Sequence, residues 1–399
     1  MDRQAFQSDR AGKVIRVRGP AAYWAFAPRP LPPELNWTPP LVSVLSRADR
    51  ALAELSALAR SLPNPHLLIR PFIHQEAVLS SRIEGTRASL SDLYAYEAGT
   101  LALFEMPDDV REVHNYVTAL EYGLERIREL PLSLRLLREI HGKLLEGVRG
   151  EHRTPGEFRR SQNWIGPPGS TPSNAPFVPP PPSEMNSCLD AFEKWLHGES
   201  DLPPLVRIAL AHYQFEAIHP FLDGNGRVGR LLTILLMCLL GLLSEPVLYL
   251  SAYFEARRQD YYDRLLAVSQ KGACEEWVAF FLEGVAVQAL DARARARRLV
   301  DLREEYRDRL QSERASGRLL QVVDFLFARP IITISNLRAA LGLWQVQAQR
   351  YVERLEALGM LRETTGRSRN RVYVADTIMQ AVQEPLSARA PEPAEGAQQ

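Results

Sequence analysis

At 399 residues, 46% hydrophobic and 24% charged, the chain is long enough for two or three domains and apolar enough to bury a core, which excludes a lone small module and a chain disordered throughout. Lys plus Arg and Asp plus Glu each total 48, so no global charge draws it to nucleic acid, and any basic surface must be local. Cys188, Cys238 and Cys274 are scattered and lack CxxC spacing, which excludes a disulfide framework and a zinc site.

The first residues hold no apolar leader, and the longest apolar run, Leu231 to Leu243, falls about a third short of a membrane span. A soluble, cytoplasmic protein with no membrane partner is expected. Lysine is rare among the basic residues (Lys13, Lys143, Lys194, Lys271), and this arginine bias reads as high-GC coding and a bacterial source.

In chain order, Pro28, Pro30, Pro32, Pro33, Pro39 and Pro40 make an extended lead-in, because proline cannot sit inside helices or central strands. Leu45, Ala48, Leu52 and Leu55 then recur at three and four residues, which predicts a helix. Val110, Val113, Val117, Leu120 and Leu124 form another helical stripe, and Leu134, Leu137, Ile140 and Leu144 the next. A second proline cluster runs from Pro155 to Pro182. Beyond it the helical period resumes at Leu189, Phe192 and Leu196, then at Val206, Ala209, Leu210 and Tyr213. The run after Arg230 is apolar on all sides and predicts a central buried helix. Residues 275–315 begin apolar and turn charged, as a connecting helix would.

From Arg318 the pattern changes. Leu319, Val322, Val323 and Leu326 predict a helix ended by Pro330, Ser335 caps a short helix closed by Gly342, and residues 345–358 make a third closed by Gly359. Residues 361–366 and 371–374 read as strands around a turn. Three helices and a hairpin in about 60 residues follow the winged helix-turn-helix plan. The tail after Asp376 is rich in Pro, Ala, Glu and Gln, which predicts disorder.

The most informative stretch runs from His219 through Pro220, Phe221, Leu222, Asp223, Gly224, Asn225, Gly226, Arg227, Val228 and Gly229 to Arg230. Its GxGxxG is no dinucleotide fingerprint, since it follows a helical stretch rather than a strand, and the lysine of a P-loop is missing. What remains is a glycine loop feeding a helix N-terminus, an anion cradle of backbone N–H donors. One imidazole, one carboxylate and two guanidiniums around it could deprotonate a hydroxyl, hold a divalent cation and clamp phosphates. A lone Asp223 suffices for Mg²⁺ when a nucleotide supplies the other ligands. Arg227 and Arg230, three apart, can reach the same polyphosphate.

These residues match the signature HPFx(D/E)GNGRxxR at every specified position, and the chain resembles the Fic family. The resemblance implies a protein adenylyltransferase that moves AMP from ATP, with Mg²⁺, onto a Ser, Thr or Tyr hydroxyl of a target protein or of itself. On that resemblance His219 is the base, Asp223 holds the metal, and Gly224, Asn225 and Gly226 cradle phosphate. Arg227 and Arg230 stabilise the β and γ phosphates, and Val228 and Gly229 belong to the same nucleotide-binding turn. Upstream, Ser80, Glu84 and Gly85 match the family's inhibitory pattern (S/T)xxxE(G/N), which implies that Glu84 pairs with Arg230 and denies it to the γ phosphate. The same glutamate could align a water for removal of AMP. Residues 156–166 followed by 177–181 are similar to the family's β-hairpin flap, whose Trp164, Ile165 and Gly166 would pair with a target segment. In 253–262, Tyr261, rather than Tyr262, is expected to border the adenine, although Arg257 stands where many relatives carry asparagine. His212 reads as a packed histidine.

The expected fold is mainly α: a Fic-fold helical bundle with a β-hairpin flap and a C-terminal winged helix-turn-helix. The divisions expected are an N-terminal helical region over 1–105, the catalytic core over 106–290, a connecting helix over 291–317, the winged helix over 318–376 and a disordered tail over 377–399. On the recognition helix and wing, Gln345, Gln347, Gln349, Arg350, Arg354, Arg362, Arg367, Arg369 and Arg371 make a phosphate-facing set, suited to DNA or to protein contacts. Family habit suggests a homodimer. The alternatives are a DNA-binding regulator whose Fic core is a sensor, and a relative that uses another nucleotide donor.

Overall fold

The computed structural model describes residues 1–19, 22–61, 65–99, 107–312 and 315–384. Helices dominate, as the periodicity requires. The chain opens with an antiparallel pair, β1 (Gly12–Val17) and β2 (Tyr23–Pro28), in register from Gly12 opposite Pro28 to Val17 opposite Tyr23. Proline punctuation did not reveal this hairpin: alternation in β1 is short, and β2 dilutes its aromatics with alanine. Phe26 ties it down, donating its N–H to the Val178 carbonyl at 2.8 Å and packing on Phe6 and Phe177.

Helices α1 (Pro39–Ser61), α2 (Pro65–Ile83), α3 (Leu90–Glu97), α4 (Asp108–Arg126) and α5 (Leu134–Leu144) follow. Across the second proline cluster come α6 (Pro182–His197), α7 (Pro204–Ile218), α8 (Asn225–Leu239), α9 (Ser251–Ala256), α10 (Arg258–Lys271) and α11 (Cys274–Ser312). The centre of the bundle is α7 against α8. Both bury nearly every residue, and Trp277 of α11 donates its indole N–H to the Ala209 carbonyl of α7 at 2.8 Å. Long α11 lies beside α1, joined by Arg47 to Glu283 and by Arg293 to Glu54. It is unbroken from 274 to 312, so the expected border between 290 and 291 falls inside one helix: its composition changes there, and its backbone does not.

The C-terminal unit comprises α12 (Gly317–Ala328), β3 (Ile331–Thr333), α13 (Ile334–Leu341), α14 (Gln345–Ala357), β4 (Arg362–Glu363), β5 (Val372–Val374) and α15 (Asp376–Gln383). Its sheet is antiparallel in the order β3-β5-β4. The cap of α13 is Thr333, not Ser335; its hydroxyl accepts from the Asn336 N–H while Asn336 returns a bond to the Thr333 N–H, a reciprocal box that starts the helix earlier. Residues 376–383 are helical rather than disordered: Ile378, Met379, Ala381 and Val382 form an apolar face buried on α11 and α2, and Arg295 donates to the Val382 carbonyl. The remainder of the expected tail, 385–399, lies outside the described residues. Among the described residues no helix is long and apolar enough to cross a membrane.

Candidate active site

The site grows from the junction of α7 and α8. Helix α7 stops because His219 takes the left-handed conformation at φ 50°, its N–H still bonded to the Phe215 carbonyl at 2.9 Å. Helix α8 starts because Gly224 turns at φ 75°, a conformation glycine adopts without strain. Between them Asn225 staples the loop: its Oδ1 accepts from the Phe221 N–H at 2.8 Å and its Nδ2 donates to the Phe221 carbonyl at 2.9 Å. Both ends of this amide are therefore used on the loop, which makes the Asn225 side chain a loop former and leaves its second Nδ2 hydrogen and its backbone N–H for a phosphate.

More side chains hold the loop from outside. Buried Arg159 donates Nε to the His219 carbonyl at 2.9 Å, and Asn163 donates Nδ2 to the His219 and Phe221 carbonyls at 3.2 and 2.8 Å. His141 of α5 stacks on Phe221 with ring centroids 3.8 Å apart; its Nδ1 accepts from the Gly156 N–H, and its Nε2 donates to the Asp223 carbonyl at 3.0 Å. Burial pushes the His141 imidazole down to about 4, so it stays neutral and able to do both. His141 escaped the sequence reading because in the α5 stripe it looks like one more core position.

His219 Nδ1 lies 3.2 Å from the Glu216 backbone carbonyl, which can only accept; Nδ1 therefore carries the hydrogen, and Nε2 offers its lone pair. Burial, helped by Arg159, pushes this imidazole down to about 4, which keeps it neutral near pH 7. It lines a cavity of about 670 Å³ together with Glu84, Gly226 and Arg230 on one side and Trp164, Ile165 and Gly166 on the other. Trp164 and Ile165 are partly exposed at the rim, and Ile165 pairs with Phe177 through a single antiparallel bridge of 2.9 and 3.3 Å. The expected flap hairpin is thus one bridge pair long, because prolines on both arms withhold further N–H donors.

Glu84 follows the end of α2, in a turn that Gly85 continues at φ 98°. Its Oε1 accepts from Arg230 at 2.7 Å, and Arg230 also donates Nε to Ser80 Oγ at 2.8 Å and a terminal nitrogen to the Ser80 carbonyl at 3.0 Å. Burial works against ionisation of Glu84, but the adjoining Arg230 guanidinium outweighs it and holds the carboxyl below its ordinary value. A Cβ at Gly226 would stand 2.3 Å from Glu84 Oε1. The carboxylate thus sits on the first turn of α8, where backbone N–H groups and the helix dipole favour an anion. Arg227 faces elsewhere: buried, it lies 3.4 Å from Glu112, which also accepts from Thr86. The two arginines therefore begin from different acidic partners, although one helical turn carries both.

Val228 and Gly229 do not line the cavity. One side of α8 presents Gly226 and Arg230, four apart, and the intervening Val228 turns into the core while Gly229 abuts Glu216. Tyr261 and Tyr262 both border the cavity, but Tyr261 is buried with its hydroxyl donated to His212 Nε2 at 2.8 Å, leaving Tyr262 the more accessible ring. His212 itself is packed between α7, α8 and α10. Asp223 is half-buried, with Oδ1 accepting from the Gly224 N–H at 2.6 Å and Oδ2 beside Gly150. No cluster of metal-ligating side chains occurs among the described residues, so this single carboxylate fits a cation only where phosphates complete the shell. Arg350, Arg367, Arg369 and Arg371 are exposed on the C-terminal unit and take no part in the cavity.

Known proteins resemble this chain in sequence and in fold. A family model described as Fic/DOC family N-terminal matches residues 42–125, and one described as Fic/DOC family matches residues 131–237. A protein adenylyltransferase Fic from Drosophila willistoni is 27% identical over 243 residues, 60% of this chain and 45% of that protein. One from Drosophila virilis is 30% identical over 179 residues, 44% of this chain and 33% of that protein. The chain thus aligns with less than half the length of these relatives. The crystal structure of a Fic family protein from Desulfovibrio desulfuricans superposes with a TM-score of 0.56 at 20% identity, over 86% of this chain and 98% of that one. Fic-1 from C. elegans superposes at 0.50 and 24% identity, over 67% of this chain and 75% of that one.

Proposed function

Because the chain belongs to the Fic/DOC family, we propose that it transfers AMP from ATP to a protein hydroxyl and is held back by its own Glu84. The observation that carries this reading is the Glu84 carboxylate on the N-terminal turn of α8, paired with Arg230 at 2.7 Å beside the neutral His219. The acceptor oxygen attacks the α phosphorus, the bond to the oxygen bridging α and β breaks, and pyrophosphate leaves. His219 Nε2 takes the hydroxyl proton. Backbone N–H groups at Gly226 and the Arg230 guanidinium stabilise the charge on the phosphates, the main task in such chemistry. Asp223 would hold Mg²⁺, which neutralises phosphate charge when bound. Trp164, Ile165 and Gly166 would hold the acceptor segment, on the target or on this protein, across the mouth of the cavity.

While Glu84 occupies Arg230 and the helix N-terminus, the γ phosphate has neither, which is the inhibition. If a water replaces the acceptor hydroxyl, the same carboxylate stands where it could orient it and favour removal of AMP. The reading is tested by incubating the Glu84→Gly protein and candidate targets with α-labelled and γ-labelled ATP and with α-labelled GTP, CTP and UTP. Label from α-labelled ATP alone is expected. Label from γ-labelled ATP would make it a phosphotransferase, and label from another α-labelled nucleotide would replace ATP as donor.

The C-terminal unit supports a second reading, in which a winged helix binds duplex DNA through exposed Arg350 on α14 and Arg367, Arg369 and Arg371 on the β4–β5 connection. A salt-dependent mobility shift lost in the Arg367→Ala, Arg369→Ala double variant is expected. No shift at low salt would assign this surface to protein contacts instead.

A further inference from the structure

Glu216 has no part in the chemistry above, yet its carboxyl is built into the site. It stands on the last turn of α7 with Oε2 3.8 Å from His219 Nδ1 and its side chain 11% exposed. Its Oε1 is buried without a hydrogen-bond partner among the described residues and abuts the backbone of α8, where a Cβ at Gly229 would stand 2.4 Å away. Glycine at 229 is what admits this carboxyl. Native structures rarely leave a buried polar atom unmet without a role for it.

We propose that Glu216 is a positioning residue for His219, fixing the orientation of the imidazole and, when ionised, raising its basicity; this rests on reading His219 as the base. The backbone carbonyl of Glu216 already holds Nδ1–H, and its side chain lies beside the same nitrogen. When Nε2 takes the hydroxyl proton, positive charge spreads over the ring to Nδ1. A carboxylate there stabilises that imidazolium, and a protonated carboxyl does not. The other groups that face Glu216 are Arg230 from α8, which favours its ionised form, Glu84 after α2, which opposes it, and Tyr261 from α10. Arg159 faces the ring itself. Burial outweighs the rest and pushes the Glu216 carboxyl up to about 8. As pH rises through that value Glu216 loses its proton to solvent, His219 becomes the stronger base, and turnover climbs.

The test combines a titration with a rate. In nitrogen NMR of the full-length protein, with the His219 ring assigned by its loss in His219→Ala, the wild-type ring shows an alkaline inflection that is absent in Glu216→Gln. No inflection in wild type, or the same inflection in Glu216→Gln, overturns the proposal without any need for turnover. In the Glu84→Gly background, Glu216→Gln lowers alkaline kcat roughly tenfold, less than a general base itself supplies, and flattens the alkaline rise while KM for ATP holds. Glu216→Asp recovers part of the rate. Unaltered kinetics in Glu216→Gln would refute the role of Glu216, whereas an intact titration with no label transferred by Glu84→Gly would refute AMP transfer alone.

Discussion

The proposed role of His219 as base rests on where its backbone stops. In the left-handed conformation it ends α7, and its ring returns Nδ1 to the Glu216 carbonyl, which leaves the Nε2 lone pair free on a residue that lines the cavity. With the imidazole held near 4, kcat/KM for transfer should, below the alkaline step set by Glu216, stay constant as pH falls through the ordinary histidine range and drop again on approach to about 4. A fall centred near 6.5 in the pH–rate profile would contradict it. His141, also near 4, has a consequence for stability. Its folded value lies below its unfolded one, so the unfolded chain binds the proton first and stability is lost as pH falls below about 6.5. Between pH 7 and pH 5 that loss is about 2 kcal/mol for this one group. In denaturant titrations His141→Gln should therefore be less stable at pH 7 and lose about 2 kcal/mol less on acidification than wild type. An equal loss in both proteins would contradict the neutral assignment.

At the scale of elements, α8 divides its turns between two tasks. Gly226 and Arg230 face the cavity, while Val228 enters the core and Gly229 makes room for Glu216. With Glu84 removed, a methyl at Gly226 meets no carboxylate but stands 3.0 Å from an Arg230 terminal nitrogen, so it narrows the anion cradle and crowds the guanidinium. Gly226→Ala in the Glu84→Gly background should therefore lower transfer tenfold or more, on the order of the loss of one charge-assisted hydrogen bond. Transfer equal to that of Glu84→Gly would show that phosphate does not approach this turn. The loop, the two arginines and the helix they open were legible in the sequence because the chemistry is contiguous over 219–230. The rotation of α8 was only half legible: period 3.6 says which residues share a face, and only the packed neighbours say which face is inside. Arg227 turned to Glu112, 115 positions earlier in the chain, and no local pattern announces such a partner.

At the scale of the molecule, the C-terminal unit does not hang free. Helix α12 packs on α2, the Thr333 hydroxyl donates to the Ala98 carbonyl at the end of α3, and α15 seats Ile378 and Met379 against the bundle. Ile378→Ala should cost about 2–5 kcal/mol in chemical denaturation, the range for truncating a buried isoleucine; a loss under about 0.5 kcal/mol, typical of an exposed site, would return these residues to a loose tail. The sequence concealed this helix because its eight residues lead into a proline- and alanine-rich end whose composition dominates the window. It concealed the β1–β2 hairpin likewise, since Phe26 is secured by Val178, across the whole helical N-terminal half.

The central claim is that Glu84 and ATP compete for Arg230 and the N-terminus of α8. The most direct measurement is transfer from α-labelled ATP by wild type, Glu84→Gly, Glu84→Gly with His219→Ala, and Glu84→Gly with Arg230→Ala. Labelling should rise about ten- to a hundredfold in Glu84→Gly, the scale of one charge-assisted contact released, vanish with His219→Ala and fall back with Arg230→Ala. Equal labelling by wild type and Glu84→Gly, or labelling that survives loss of Arg230, would contradict it.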